Sequence, residues 1–350
     1  MMSYFKYFIL TILILVPFLS FSQVTVPIIK NLSEIDKTQI GIRNYWLEMG
    51  TNTYNFPILI PVVVIQGDSS GPTLGLTAAI HGDELNGIPI IHELISSIDF
   101  KHLKGRIIAI PGVNAYSIQN DQRRFIDDED LNRIFPGTID GDRSQQYAYK
   151  INQKVLPSFN IHIDMHTASF GRINSMYARV DSSNDTLRIL AKLQQPDIIL
   201  NSKGASLIGT KTSSTMREVA IAQGMQSITI EYGNPQVFQG EMTDRGVKGV
   251  LNTLAWLKMY GSIDIDKFED HAIYCKKSYW IHMEEGGFLE VPVALKQHLK
   301  KGDKIAFVRN AFGSIIKEYF APEDGVVIGK STNPANMSGG RIIHLGIKQE

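Results

Sequence analysis

Strand-like and helix-like segments alternate through the first two-thirds of the chain, and this alternation constrains the fold more than any other feature. Short apolar runs bounded by turn residues predict strands at 56–67, 73–80, 105–113, 160–167 and 227–233. Apolar residues at helical spacing predict helices at 87–98, 144–156, 185–194 and 247–260. Such alternation builds βαβ units, so we expect an α/β protein with a mainly parallel sheet covered by helices on both faces. Ligands bind such sheets at the carboxyl ends of the strands.

The pattern changes after about residue 265. From Tyr279 onward the chain has short strand-like runs and turn signals, without a long helix-like segment. We therefore predict a catalytic domain over 23–265 and a small all-β module over 275–350, with 263–270 as the linker.

The first residues have the features of a secretory signal peptide. Lys6 precedes an apolar run that ends near Phe18, and small residues at Ser20 and Ser22 have the spacing of a signal-peptidase site. The run is shorter than the roughly 20 residues that span a bilayer, which disfavours the alternative of an uncleaved membrane anchor. We predict a signal peptide over 1–22, export to the periplasm or the medium, and no stable membrane insertion of the mature chain.

Composition limits the chemistry that the chain can carry. The 350 residues include 35 basic and 35 acidic side chains, so the basic excess that drives nucleic-acid binding is missing. The single cysteine, Cys275, excludes an intramolecular disulfide and a multi-cysteine metal site. Catalysis would therefore depend on His, Asp, Glu, Ser or Arg side chains.

A first pair of metal-ligand candidates, His81 and Glu84, follows a predicted strand and leads into a predicted helix. A His and a Glu three residues apart on such a turn can direct an imidazole nitrogen and a carboxylate oxygen to one point, and zinc accepts this mixture of ligands. The spacing alone is a weak signal, because His282 and Glu285 share it.

His166 is the expected third ligand of this centre. Side chains alternate along a strand, so His162, Asp164 and His166 lie on one face of the predicted strand, and His166 is nearest its carboxyl end. A catalytic zinc ion needs three protein ligands and one open position, which these residues would supply. His162 lies deeper on the same face and is predicted to be a hydrogen-bonded core residue.

Four motifs occur in an order that resembles the succinylglutamate desuccinylase/aspartoacylase family, a branch of the zinc carboxypeptidase-like hydrolases. They are HGDELNG from His81, DLNRIFPG from Asp130, DMHT from Asp164 and EYG from Glu231. The resemblance covers nearly the whole mature chain. It implies a carboxypeptidase-like mixed sheet flanked by helices, and a C-terminal module of the barrel-sandwich type.

The resemblance also implies roles for individual residues around the metal. One zinc ion per chain would be bound by His81, Glu84 and His166, and Glu231 would be the general base. Asp130 would orient a zinc-bound imidazole from outside the ligand set, a role with a physical logic of its own.

Further residues resemble the family's substrate-binding groups. Asn132 and Arg133 correspond to its clamp for a substrate carboxylate, and Arg217 corresponds to another substrate-binding arginine. Arg124 corresponds to the oxyanion arginine, but one extra residue before Asn132 keeps Arg123 open as the alternative.

Both predicted domains add further candidates around the cleft. Arg172 follows His166 closely enough to contact substrate, and Tyr274 or Tyr279 is a candidate contact from the module. A carrier module would display a modifiable lysine at a hairpin tip, whereas 310–314 contains none. The module is therefore expected to form a wall that favours small substrates.

These observations favour a zinc-dependent deacylase that cleaves the amide of a small N-acyl amino acid, or a related acylated substrate with a carboxylate, with metal-activated water. The first alternative is an exported metallocarboxypeptidase that acts on peptides. The second is a non-catalytic binding protein on the same fold, which the complete set of ligand and base candidates disfavours.

Overall fold

The computed structural model describes residues 25–202, 214–265 and 268–349, and the predicted signal peptide lies outside these ranges. The described helices are α1 (Gly87–Ser97), α2 (Ala115–Gln119), α3 (Arg143–Lys154), α4 (Asp185–Leu193), α5 (Met216–Ala222) and α6 (Gly240–Trp256). Among the described residues, none of these helices combines the length and the apolar character that crossing a bilayer requires.

Strands make up most of the remaining regular structure. The strands before α6 are β1 (Ile28–Ile29), β2 (Gly41–Thr51), β3 (Pro57–Gln66), β4 (Asp68–Ala78), β5 (Lys104–Ile110), β6 (Ile161–His166), β7 (Arg172–Asn174), β8 (Tyr177–Val180), β9 (Ile198–Asn201) and β10 (Gln226–Glu231). The strands after α6 are β11 (Ile273–His282), β12 (Gly287–Glu290), β13 (His298–Leu299), β14 (Lys304–Arg309), β15 (Ile315–Phe320), β16 (Gly325–Ser331), β17 (Ala335–Asn336) and β18 (Arg341–Lys348).

The main sheet is mixed and mainly parallel in its catalytic part, which confirms the predicted fold class. Its strand order is β1-β2-β3-β5-β4-β6-β10-β8-β9-β11-β18-β16-β13, and β7 pairs with β16. The central strands β5, β4, β6 and β10 run parallel to one another. Antiparallel pairs join β2 to β3, β3 to β5 and β8 to β10.

Helices cover both faces of this sheet, and β5 carries buried apolar residues on both of its sides, with Ile107 on one and Ile108 on the other. Helices α1, α4 and α6 pack on one face through residues such as Ile90, Leu190 and Leu254. Helices α3 and α5 pack on the other face through Tyr147, Val219 and their neighbours. β4, β6 and β10 instead alternate apolar residues with polar residues or glycine, and their apolar side chains pack in one core with those of α1, α4 and α6.

The five predicted strands and four predicted helices all form, most of them within about three residues of their predicted bounds, but β4 begins five residues and α6 seven residues earlier than predicted. The short helix α5 was not among them, although its start has a sequence signal. Thr215 and Glu218 form a capping box, in which each side chain accepts a hydrogen bond from the other residue's backbone N–H.

The strands after residue 272 continue the main sheet. β11 pairs in parallel with β9 and antiparallel with β18, so the sheet runs on into the predicted module. A second, antiparallel sheet has the order β15-β14-β12-β17, and the two sheets share an apolar core that includes Leu289, Ile305 and Leu345. Strand β7 pairs with β16, with Arg172 opposite Ser331, and this pairing holds the module against the catalytic part. The predicted all-β module forms, and the domain boundary at 265–275 stays a prediction.

Candidate metal centre and active site

Three neighbouring parallel strands end at the site. β4 ends at Ala78, β6 at His166 and β10 at Glu231. Glu231 is the register partner of His166, and Ala78 is the partner of the residue before it. The carboxyl ends of the strands therefore meet at one edge of the sheet, where a ligand is expected.

The turn after β4 is fixed by backbone contacts. Ala79 has a positive φ of 57°, and the Asn114 side chain donates a hydrogen bond of 2.9 Å to the carbonyl of Ile80. The N–H of Gly82 donates to the carbonyl of Gln122 at 2.8 Å. This turn presents the next ligand candidates at the end of β4.

His81, Glu84 and His166 converge at this edge. Their candidate ligand atoms all lie within 4.8 Å of one another, and in the part of the chain that the structure describes no other group of three His, Cys, Asp or Glu does so. Nδ1 of His81 lies 2.9 Å from Oε1 of Glu84, and Nδ1 of His166 lies 2.8 Å from Oε2. All three residues are buried, at no more than 4% exposure.

Each imidazole is held from behind by a carboxylate. Nε2 of His81 lies 3.0 Å from Oδ1 of Asp130, and Nε2 of His166 lies 2.7 Å from Oδ2 of Asp164. These outer carboxylates can each accept the Nε2–H of their ring, which leaves Nδ1, the nitrogen that faces Glu84, as the atom that would bind a metal. The donor set of two imidazole nitrogens and one carboxylate therefore fits a zinc ion.

The electrostatics of this cluster favour a positive charge at its centre. Although burial opposes the shift, the two imidazoles hold the pKa of the Glu84 carboxyl well below its usual range. Burial likewise opposes the shift at Asp130, yet the His81 imidazole, followed by Arg123 and Arg133, holds the pKa of its carboxyl well below the usual range. Both carboxylates are thus ionised at neutral pH.

Arg123 and Arg124 lie in different environments, and Arg123 is the one that contacts the cluster. Its Nη1 donates to Oε1 of Glu84 at 2.8 Å, and its Nη2 donates to Oδ2 of Asp130 at 2.8 Å. Arg124 also lines the cavity, but its side chain is 55% exposed and donates to the backbone carbonyl of Asp128. Of the two arginines that the sequence leaves open, Arg123 is therefore the one that lies at the ligand cluster.

Glu231 lies in a pocket of polar side chains at the end of β10. Asn174 donates to Oε2 of Glu231 at 3.3 Å, and Nε of Arg179 lies 3.7 Å from Oε1. Arg179 also donates to the hydroxyl of Tyr177 at 2.8 Å. Burial, reinforced by the negative charge of Glu84, raises the pKa of the Glu231 carboxyl. A carboxyl with a raised pKa is suited to exchanging protons near neutral pH.

The strand ends open into a cavity of about 900 Å³ whose charged lining is rich in arginine. Its seven arginines are Arg123, Arg124, Arg133, Arg172, Arg179, Arg217 and Arg341. Its four carboxylates are Glu84, Asp130, Glu218 and Glu231. A cavity with three more arginines than carboxylates attracts anionic substrates.

The other predicted substrate contacts also line this cavity. Asn132 accepts a hydrogen bond of 2.7 Å from the N–H of Met216, which fixes the start of α5. Arg133 is exposed, and its Nη1 donates to the carbonyl of Asn132 at 2.7 Å. Arg217 is 3% exposed and donates to Ser202. Helix α5 therefore brings Arg217 to the same cavity as Asn132, which lies 85 residues earlier in the chain.

Two histidines with ligand-like sequence contexts lie outside the candidate metal centre. His282 is exposed at the end of β11 and does not belong to the ligand group of the described residues. His162 is fully buried, as the sequence predicts, with Nε2 2.8 Å from the Thr77 hydroxyl and Nδ1 2.9 Å from the Ser227 hydroxyl. Burial lowers the pKa of His162 to about 4, so this imidazole is neutral in the folded protein.

The C-terminal strands contribute a wall that sequence reasoning anticipates only at Tyr279. That residue lines the cavity and donates to Glu323 at 2.8 Å, whereas Tyr274 lies elsewhere and bonds to Asp270. Trp280, Arg341 and His344 also line the cavity, and Arg179 reaches it from β8. The role of Asp164 as a partner of His166 was not predicted. The sequence does carry a signal for it, since strand alternation places Asp164 on the same face as His166.

Comparison with known proteins decides the family. The profile of the succinylglutamate desuccinylase/aspartoacylase catalytic domain matches residues 70–257. The chain belongs to the succinylglutamate desuccinylase/aspartoacylase family. Family membership indicates a hydrolase of the deacylase type that acts on small acylated amino acids.

Curated relatives of this family are similar over much of the chain. The N-alpha-acetyl-L-2,4-diaminobutyric acid deacetylase of Halomonas elongata is 27% identical, over 82% of this chain and 84% of its own length. The succinylglutamate desuccinylase of Pseudomonas paraeruginosa is 26% identical, over 59% of this chain and 61% of its own length.

Solved structures share the fold along almost the whole chain. The family member from Rhodobacter sphaeroides has a TM-score of 0.79 at 21% identity and covers 92% of this chain and 100% of its own. The ectoine utilization protein from Ruegeria pomeroyi, solved with product bound, has a TM-score of 0.78 at 22% identity and covers 89% of this chain and 97% of its own. At this identity the likeness establishes the fold alone.

Proposed function

We propose that the protein is an exported, zinc-dependent deacylase that hydrolyses the amide bond of a small N-acyl amino acid with a carboxylate. The observation that carries this proposal is the convergence of His81, Glu84 and His166 on one point, with Glu231 beside them in an arginine-lined cavity. The N-terminal pattern around Lys6 supports export.

The zinc ion would be held by Nδ1 of His81, Nδ1 of His166 and the carboxylate of Glu84. When bound, zinc acts as a Lewis acid that polarises a carbonyl oxygen and lowers the pKa of water. Asp130 and Asp164 keep both imidazoles in the tautomer that presents Nδ1, which is the contribution of these two residues.

Glu231 would move the proton during hydrolysis. Its carboxylate accepts a proton from the attacking water and delivers it to the leaving nitrogen, which requires a group that exchanges protons near neutral pH. Asn174 and Arg179 orient this carboxylate by contacting its two oxygens. Arg179 also ties Glu231 to Tyr177, and so the base is positioned from β7 and β8.

Arginines would position the substrate and stabilise its developing charge. Arg123 lies beside Glu84, where its guanidinium can stabilise the negative oxygen that forms as the amide carbonyl is attacked. Arg133 would pair with the substrate carboxylate in a two-pronged contact, with Asn132 beside it. Fixing the substrate by its carboxylate orients the scissile amide and lowers the entropic cost of reaction.

The first test separates metal binding from proton transfer. The mature protein should contain about one zinc ion per chain by elemental analysis, and Glu231→Gln should retain the metal while its turnover of N-acyl amino acids falls by roughly 10²–10⁴-fold. Full activity in this variant would refute Glu231 as the base.

A matched pair of histidine variants tests the ligand assignment. His81→Ala removes a buried Nδ1 donor and should abolish zinc retention, whereas His282→Ala removes an exposed histidine with the same spacing to a glutamate and should retain the metal. Equal zinc content in both variants would contradict the proposed centre.

A further inference from the structure

The segment that follows β10 is bound to the turn that carries His81 and Glu84. Asn86 closes this turn and is fully buried. Its Nδ2 donates a hydrogen bond of 2.7 Å to the carbonyl of Tyr232, the residue directly after Glu231. Asn86 therefore connects the turn that holds two ligand candidates to the strand end that holds the candidate base.

A reciprocal pair of hydrogen bonds extends this connection to the start of α6. Nδ2 of Asn86 also donates to Oε1 of Gln239 at 3.0 Å, and the N–H of Gln239 donates back to Oδ1 of Asn86 at 2.9 Å. The same Oε1 accepts a hydrogen bond of 2.7 Å from the N–H of Asn234. The two side chains therefore fix the course of the chain from Tyr232 to Gln239.

Backbone hydrogen bonds hold this segment against both elements that carry ligand candidates. The N–H of Tyr232 donates to the carbonyl of His166 at 2.7 Å, at the end of β6. The N–H of Gln236 donates to the carbonyl of Asp83 at 2.9 Å, in the ligand turn. Substitution of a side chain leaves these backbone groups in place, whereas the connection through Asn86 depends on its amide and can be removed.

The place of the two amides points to an effect on geometry rather than on substrate binding. Neither Asn86 nor Gln239 is among the described residues that line the cavity, so neither contacts a substrate there. A buried carbonyl that loses its partner is destabilised, so the backbone at Tyr232 would move to find another. Displacement of a reacting group by about 1 Å can lower a rate about 10²-fold.

We infer that Asn86, together with Gln239, is a positioning pair that fixes the Glu231 carboxylate relative to the metal centre. This inference rests on the proposed deacylase function and adds two residues to it. Asn86 acts through the backbone, because it holds the carbonyl of the residue after Glu231 and so sets where β10 ends relative to the ligand turn. Its loss should therefore lower kcat and leave KM nearly unchanged.

The first experiment measures kcat and KM of the zinc-loaded enzyme for the N-acyl amino acid that the parent hydrolyses best. Asn86→Leu keeps a side chain of similar size but removes the hydrogen bonds to Tyr232 and Gln239. We expect kcat to fall about 10–100-fold at matched zinc content, while KM changes less than about threefold. A kcat equal to that of the parent would overturn the positioning role.

Two variants of Gln239 test the pair at a half-buried position, where the fold tolerates substitution better. Gln239→Glu keeps the oxygen acceptors for Asn86 and Asn234, and it places a negative charge at the N-cap of α6, which the helix dipole favours. Its kcat should stay within about threefold of the parent, whereas Gln239→Leu should lose about tenfold. Parent-like kcat in Gln239→Leu would contradict the inference even if Asn86→Leu failed to fold.

Asn152→Leu is the matched control for a purely structural effect. Asn152 is also buried and also pairs with a glutamine, since its Oδ1 accepts a hydrogen bond of 2.7 Å from Gln223, but it lies on α3 away from the cavity. Both leucine variants should show a lower midpoint of chemical denaturation, and the control should keep kcat within about twofold of the parent. Equal losses of kcat in the two variants would reduce Asn86 to a structural residue.

Cobalt(II) in place of zinc separates this inference from the deacylase itself. The visible spectrum of bound cobalt changes with pH as protons exchange at the metal, and the midpoint depends on how near the Glu231 carboxylate lies. We expect the midpoint of Asn86→Leu to differ from that of the parent by about 0.5 pH unit or more, and that of Asn152→Leu to match the parent. If the parent hydrolyses no N-acyl amino acid, this shift still supports the positioning role and refutes the deacylase alone. Equal midpoints in all three proteins overturn the positioning role, and a parent that binds neither metal overturns both.

Discussion

At the scale of single residues, the neighbouring side chains Arg123 and Arg124 have the same chemistry but different surroundings, so their substitution should have different effects. Arg123 pairs with Glu84 and Asp130, whereas Arg124 is directed to the loop carbonyl of Asp128. We predict that Arg123→Gln lowers kcat by about 10²–10³-fold, as loss of an oxyanion donor does, while Arg124→Gln changes it less than about fivefold. Steady-state kinetics at matched zinc content measures both. The reverse order of effects would restore Arg124 as the oxyanion arginine.

The residues of the candidate metal centre could be predicted from sequence because each lies at the end of a strand or in the turn after it. His81 and Glu84 share one turn, and the position of His166 at the end of its strand indicates the edge it reaches. Arg179 and Arg341 could not be found in this way, since they reach the cavity only after β8 and β18 join the sheet. Which of two adjacent arginines points inward depends on a loop conformation that carries no periodic signal.

At the scale of an element, the turn between β4 and α1 positions two of the three ligands, and Gly82 is the residue that lets it pack. A Cβ at Gly82 would lie 2.0 Å from the carbonyl carbon of Ser117, a backbone atom of α2 that cannot rotate away. We predict that Gly82→Ala destabilises the protein by about 1–3 kcal/mol and weakens zinc retention, because the turn must move. Chemical denaturation and elemental analysis measure the two effects.

Gly240→Ala is the matched control for this turn. A Cβ at Gly240, the first residue of α6, meets no atom within 4 Å. Its unfolding free energy should stay within about 0.5 kcal/mol of the parent value, with unchanged zinc content. If Gly82→Ala behaved like this control, close packing of the turn on α2 would not be what places His81 and Glu84.

Elements with strong periodicity are the ones that sequence predicts. β4, β6 and β10 place apolar residues at every second position, and the longer helices repeat apolar residues at helical spacing. The order of the strands is a different matter, because it depends on which apolar faces fit together across the sheet. The antiparallel insertion of β8 beside β10, which places Tyr177 opposite Glu231, has no counterpart in the local pattern.

At the scale of the whole molecule, the continuous sheet makes the C-terminal module part of the active-site wall, where His344 lies edge-on to Tyr177 of β8 with ring centroids 6.1 Å apart. Its ring stacks on Trp280, its Nε2 lies 2.8 Å from the Ser278 hydroxyl, and it is 3% exposed. Burial and the neighbouring arginines lower the pKa of His344 from an ordinary value of 6.5 to about 3. The stability of this wall should therefore depend on pH.

The sign of this dependence follows from proton binding in the two states. Between the two pKa values the unfolded chain binds a proton at His344 that the folded protein does not, so the free energy of unfolding falls as pH falls below about 6.5. At about 1.4 kcal/mol per pH unit, the loss from this residue reaches about 2 kcal/mol at pH 5.

We predict that His344→Gln removes this loss, so its unfolding free energy falls less than that of the parent between pH 7.5 and pH 5. His162 titrates identically in both proteins and cancels in the difference, and His282→Gln, at an exposed site, should follow the parent. Denaturant unfolding at the two pH values measures the difference, and equal losses in the parent and in His344→Gln would contradict the lowered pKa of this imidazole.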